Sequence, residues 1–78
     1  MAPTKPRKPG LGPAIRHLRQ QRDLSQEALA VAAGVSAGTL GAMERGRTYP
    51  RWDTVEAIAS ALDASVVELA KLAEKLKK

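Results

Sequence analysis

The chain is predicted to be all-α, a compact bundle of five short helices, and three observations predict it. Apolar residues recur at spacings of three and four, as in Val55, Ile58, Ala59 and Leu62, which lines them along one face of a helix. Ser25, Ser36 and Ser65 each stand immediately before such a run, where a side-chain oxygen can accept from a backbone N–H that lacks an intrahelical partner. Hydrophobic residues make up 44% of the 78 residues but aromatics only 3%, with no Phe. The core must therefore be built from Ala, Leu, Val and Ile, which suits short helices in close contact.

Residues 1–12 are rich in Pro, Gly, Lys and Arg, carry nothing apolar enough to bury, and are expected to form a disordered basic arm ahead of a single domain over residues 13–78. The first helix should begin at Pro13, a residue suited to the first helical position, and run to about Arg22, with Ile15, Leu18 and Leu11 toward the core and His17 exposed. The second helix spans Ser25 to Ala33, and Leu24 and Leu29 are spaced to staple its N-terminus. Gly34 supplies positive φ at its end. Ser36 caps the third helix, which runs to Glu44 with Val35 and Leu40 as its staple and Leu40 and Met43 inward. Two capped helices separated only by a glycine-centred turn must cross steeply, which is helix-turn-helix geometry.

After the third helix comes a polar loop, Arg45-Gly46-Arg47-Thr48-Tyr49-Pro50-Arg51. A fourth helix should start at Trp52 or Asp53 and reach Leu62, with Trp52 packed as a lid over the loop. The fifth opens with a capping box, Ser65-Val66-Val67-Glu68, and is expected to run over about 65–77. Its apolar stripe, Val66, Leu69, Leu72, Ala73 and Leu76, is longer than one small core needs to cover and is the candidate seam of a homodimer.

Composition excludes several kinds of chemistry. Without cysteine there is no disulfide framework or thiolate metal site, and with a single histidine zinc binding is not expected. No apolar run approaches a transmembrane span and the N-terminus lacks a hydrophobic signal segment, so a soluble cytoplasmic protein is expected. No Cys or paired His offers a nucleophile and base, no glycine loop follows a strand to cradle phosphate, and neither catalysis nor a cofactor is expected. Net charge is +5 and unevenly placed: residues 1–22 hold six basic and no acidic residues (+6), residues 23–70 three basic and seven acidic (−4), and the last eight return to +3. Clustered positive charge suits a polyanion.

The run LSQEALAVAAGVS, followed by Leu40 and MERGRTYP, resembles the helix-turn-helix family of phage Cro and cI repressors and small bacterial regulators, and the likeness extends from about Ile15 to about Leu69. Its most specific parts are the LSQ–LA start, Gly34-Val35-Ser36, Glu44-x-Gly46 and IASAL. The resemblance implies a lambda-repressor-like bundle that binds double-stranded DNA, with the third helix in the major groove. It also implies that Arg19 pairs with Glu44 as a structural ion pair, that Ala30 is a small residue where two helices approach, and that Gln26 bridges the DNA backbone and the recognition helix. Asp23 and Asp63 stand where the resembled family usually has a glycine helix stop, a left-handed position that Asp takes at some cost. Gln26 also lies in a first helical turn, where the helix dipole favours phosphate. The outward positions of the third helix are Ser36, Ala37, Gly38, Thr39, Gly41 and Ala42. Only Ser36 and Thr39 are polar there, whereas direct base readout normally uses Arg, Lys, Asn or Gln. Phosphate contacts would then fall to Arg45, Arg47, Thr48, Tyr49 and Arg51, with Lys5, Arg7 and Lys8 of the arm along a groove. The resulting reading is a nucleoid-associated transcriptional regulator that acts as a homodimer on two half-sites, with control by concentration, a regulatory protein partner or a larger protein of which this segment is part. The Ala/Gly face of the third helix supports a second reading, an antitoxin-like or protein-interaction module of the same fold with weak or no DNA specificity.

Overall fold

The computed structural model describes residues 10–76, so the expected arm residues Lys5, Arg7 and Lys8, and the last lysines, lie outside the described residues. Among the described residues, helices follow one another with no strand: α1 (Leu11–Gln21), α2 (Gln26–Ala33), α3 (Ala37–Glu44), α4 (Trp52–Ala61) and α5 (Val66–Leu76). α1 packs against α5 and α3, α2 against α3 and α4, and α4 also meets α5. None of these helices is long and apolar enough to cross a membrane.

One three-residue connector is used three times. α1, α2 and α4 each end on a residue with left-handed backbone, Asp23 (φ 60°), Gly34 (φ 76°) and Asp63 (φ 56°). The following residue, Leu24, Val35 or Ala64, donates its N–H back to Arg19, Ala30 or Ala59 respectively, at 3.0, 3.0 and 2.9 Å. These are the reversed hydrogen bonds that close a Schellman motif, and the same three residues are half-buried against the core. A serine comes next in each case and caps the next helix. Ser25 Oγ accepts from the Ala28 N–H at 3.0 Å, Ser36 Oγ from Thr39 at 3.0 Å, and Ser65 Oγ from Glu68 at 3.0 Å, while Glu68 Oε1 accepts from the Ser65 N–H at 2.9 Å. Stop, anchor and start are thus compressed into Asp-Leu-Ser, Gly-Val-Ser and Asp-Ala-Ser. α3 also ends on a left-handed residue, Gly46 (φ 74°), but there the chain runs on into the polar loop instead of a new cap.

Every helix contributes to one core. Ile15, Leu29, Leu40, Ile58, Leu62 and Leu69 are its largest fully buried side chains, with Ala14, Ala30, Met43, Val55, Ala59 and Ala73 between them. At about 1.5–3 kcal/mol for each fully buried aliphatic side chain, these six supply the main cohesion of the domain.

Three expectations are corrected here. α1 starts at Leu11, inside the stretch assigned to the arm; the first N–H groups of a helix have no intrahelical acceptor, so Pro13 is tolerated as the third residue of its first turn. Gly12 is buried where α1 crosses the end of α3; a β-carbon there would overlap the Met43 carbonyl oxygen and lie 2.7 Å from that of Glu44. Leu69 and Ala73 cannot line a dimer seam, since α5 lies against α1 and both are buried in the domain's own core at 0% and 2% exposure, with Val66 and Leu72 half-buried beside them. Of that stripe only Leu76 is exposed. Nor is Trp52 a lid. The buried stripe of α4 begins one turn later at Val55, so Trp52 projects beyond the core and is 65% exposed.

Arg19 and Glu44 join α1 to the end of α3. Arg19 Nε donates to Glu44 Oε2 at 2.7 Å, Nη2 to Oε1 at 3.1 Å, and Nη1 to the Leu24 carbonyl at 2.8 Å. The two side chains are only 12% and 3% exposed. Gln26 completes the cluster by donating from Nε2 to Glu44 Oε1 at 3.0 Å.

Two substitutions test this packing. Gly12→Ala must push α1 off the α3 carbonyls and is expected to destabilise by about 1–3 kcal/mol, read as a fall in midpoint in thermal unfolding followed by circular dichroism. Arg19→Ala leaves the Glu44 carboxylate buried without its cation and should cost about 3–5 kcal/mol, whereas Arg19→Met with Glu44→Leu should recover most of the loss. An unchanged midpoint for Arg19→Ala would remove the pair from any structural role.

Candidate nucleic-acid interface

The outward side of the helix-turn-helix carries little polar chemistry. Gly38 and Thr39 are exposed, and Ala42 is half-buried. Ser36 and Thr39 spend part of their capacity on each other, since Ser36 Oγ donates to Thr39 Oγ1 at 2.8 Å while accepting from the Thr39 backbone at 3.0 Å. What remains is chiefly the Thr39 O–H as a donor. Two residues expected to face outward do not do so fully. Ala37 packs against the core from the first turn of α3, and Gly41 is buried. The cover over Gly41 consists of Gln26 and Arg45; a β-carbon at Gly41 would lie 3.3 Å from Arg45 Nη1 and 3.5 Å from Gln26 Oε1.

Gln26 is the first residue of α2 and is half-buried. Its hydrogen bond to Glu44 fixes the orientation of the amide, because a carboxylate can only accept and the nitrogen must therefore face it. One amide N–H and the carbonyl oxygen of Gln26 have no partner among the described hydrogen bonds. Glu44 in turn is clamped by Arg19, so α1 and α3 together aim this α2 side chain. That hydrogen bond is not legible in the residue spacing, because the partners are eighteen positions apart and meet only once the helices cross.

Positive charge collects beside this surface. Arg45 ends α3 and donates its N–H to the Gly41 carbonyl at 3.1 Å. Arg45, Arg47, Thr48, Tyr49 and Arg51 are all exposed, and Tyr49 is 73% exposed. Arg51 Nε lies 3.7 Å from Asp53 Oδ1 with both side chains largely in solvent, an ion pair too loose and too wet to immobilise the guanidinium. The loop therefore presents three exposed guanidinium groups and a phenol at the C-terminal end of α3. Sequence reasoning missed Trp52 as part of this edge; its place next to Arg51, ahead of the first buried position of α4, was the available signal. Negative charge gathers elsewhere, where Glu56, Asp63 and Glu68 line an open cleft between α4 and α5. Among the described residues, no group of three or more His, Cys, Asp or Glu could hold a metal ion.

Comparison with known proteins places this geometry. A family model described as a helix-turn-helix domain matches residues 11–72. The cryptic phage CTXphi transcriptional repressor RstR of Vibrio cholerae is 42% identical over 55 residues, which are 70% of this chain and 50% of that protein; the chain thus spans half of RstR's length. Among solved structures, the clp gene regulator ClgR of Corynebacterium glutamicum superposes with a TM-score of 0.86 at 31% identity, covering 95% of this chain and 97% of that one. The P22 c2 repressor, solved in complex with a synthetic operator, gives 0.73 at 33% identity over 78% of this chain and 92% of that one. With most of its length matched by the family model and its five helices matched in space, the chain belongs to the Cro/cI-type helix-turn-helix family.

Proposed function

We propose that the chain is a DNA-binding transcriptional regulator, with α3 in the major groove and the Arg45–Arg51 loop on the phosphate backbone. The observation that carries this reading is the succession at the end of α3: a helix face of small residues that permits close approach, then three exposed arginines with no buried partner. Arginines at such an edge fix register and supply affinity without reading sequence, and small side chains let a backbone approach the base edges. Among the outward residues, Ser36, Gly38, Thr39 and Ala42 are the groove-facing set, while Gln26 sits between backbone and recognition helix. The likeness to a repressor solved with its operator supports the same role. A second copy would place two recognition helices one helical turn apart, about 34–36 Å. Since α5 uses most of its stripe within the domain, a seam would draw on Leu76 and on exposed residues such as Val67. Such a regulator works at the nucleoid, in the cytoplasm, and a regulatory protein partner would act on surfaces away from the loop.

The small-residue face of α3 also fits a protein-interaction module, and one measurement separates the two. Duplex-DNA affinity measured against salt should give a steep log–log line, with about −0.9 per neutralised phosphate and hence about −2.7 from the three loop arginines alone. A flat, weak response would favour the protein-binding role. Within the DNA reading, Arg47→Ala should weaken binding to every duplex and flatten the slope by about one, while Thr39→Ala should leave the slope and narrow the gap between preferred and scrambled sites. Fluorescence anisotropy on both duplexes at two or more salt concentrations reads both outcomes.

A further inference from the structure

We infer that Gly41 is the floor of a composite contact in which Gln26 and Arg45 act on DNA as one unit, directed at the phosphate backbone. This inference rests on the DNA-binding role proposed above and adds a positioning residue to it. Three observations meet at this point. Gly41 lies in the middle of α3, where an alanine would normally be preferred, yet it is buried, and its cover consists of two side chains from other positions. Both polar ends are over it, Arg45 Nη1 at 3.3 Å and Gln26 Oε1 at 3.5 Å from where a β-carbon would stand. Gly38, the other glycine of α3, has nothing above it nearer than Ser36 Oγ at 4.0 Å, so the two glycines of one helix serve different ends.

The chemistry of the covering pair points to an anion. Gln26 is held by Glu44 through one amide N–H and keeps the second without an acceptor among the described hydrogen bonds; Arg45 adds a guanidinium whose donors likewise have no acceptor among the described hydrogen bonds and ion pairs. With both ends within 3.5 Å of the same β-carbon position over Gly41, side-chain rotation can bring the Gln26 carbonyl to accept from Arg45. That contact would steady the guanidinium while its remaining N–H groups face a phosphate. The buried Arg19–Glu44 pair thus reaches the DNA edge through Gln26, and the glycine lets the second member lie flat across the helix instead of standing in solvent.

The test is a mutant cycle in DNA binding with the full chain, using a preferred and a scrambled duplex at several salt concentrations and thermal unfolding as a control for folding. Gln26→Ala with Arg45→Ala should weaken binding to both duplexes about tenfold and flatten the salt slope by about one. Gly41→Leu, which fills the floor with a good helix former, should reproduce that loss in the wild-type background and add nothing in the Gln26→Ala/Arg45→Ala background. Gly41→Ala needs only a few tenths of an ångström from the flexible end of Arg45, so it should bind within about twofold of wild type with an unfolding midpoint no lower. The inference is overturned if Gly41→Leu binds like wild type, if its loss is undiminished in the double-variant background, or if it erodes discrimination while the salt slope is kept. Failure of the wild-type chain itself to bind either duplex would instead overturn the DNA-binding role and this inference with it.

Discussion

The structure depends on the buried carboxylate of Glu44. It stands at the last residue of α3, receives two donors from Arg19 of α1 and one from Gln26 of α2, and so ties three helices at a single point. An apolar core made of Ala, Leu, Ile and Val specifies that helices pack, but branched and unbranched aliphatics of similar size tolerate several registers between them. A planar guanidinium facing a carboxylate with two hydrogen bonds tolerates one. Buried pairs of this kind add little net stability once desolvation is counted, so the gain here is a defined angle between α1 and the helix-turn-helix. Gly12 belongs to the same junction, since α1 approaches the carbonyls of Met43 and Glu44 more closely than any β-carbon would allow.

From that junction outward, the molecule separates scaffold from contact. The Arg19–Glu44–Gln26 cluster and the apolar residues that join the helices are buried or half-buried, whereas the cations of the Arg45–Arg51 loop are exposed and lack a buried partner. Recognition helices usually combine both tasks by carrying long polar side chains on a rigid element. Here α3 carries almost none, and the polar heads near it come from the helix before and from the residue that ends it. In the DNA-binding role proposed above, affinity and register would reside mainly in the neighbours of α3. Under that proposal selectivity would fall to close fit, to the Thr39 hydroxyl, and to the deformability of the DNA that a smooth face can approach.

How much of this was legible in the sequence depends on the range of each interaction. Caps, staples and the glycine stop are decided within four residues, so Ser25, Gly34, Ser36 and the Ser65–Glu68 box could be placed from the chain alone; the stops at Asp23 and Asp63 were implied by the family resemblance, and both residues take the left-handed backbone. The periodicity of α4 and α5 likewise marked Val55, Ile58, Leu62, Leu69 and Ala73 as one face. Periodicity says that a face is covered but not by what, which is why the α5 stripe looked like a seam when α1 in fact covers it. Gly12, Gly41 and the Gln26–Glu44 bond depend on helices that meet only after folding, and nothing local marks them. Trp52 went astray for a related reason: an aromatic residue near a core is ordinarily drawn in, but the core stops short of the first turn of α4.

The repeated three-residue connector has a consequence for how this protein can change over time. In each of its three appearances one residue sets the handedness, the next is an apolar anchor and the third caps, so an insertion or deletion at any of them shifts the anchor out of the core and rotates the following helix. Substitutions can accumulate there, as Asp and Gly already alternate at the first position. Changes in length cannot. Only between Gly46 and Arg51 does the chain run without such a module, and lineages descended from a common ancestor of this domain should differ in length at that segment and nowhere else between α1 and α5. The segment proposed to lie on phosphates is thus also the one whose length is least constrained by the fold.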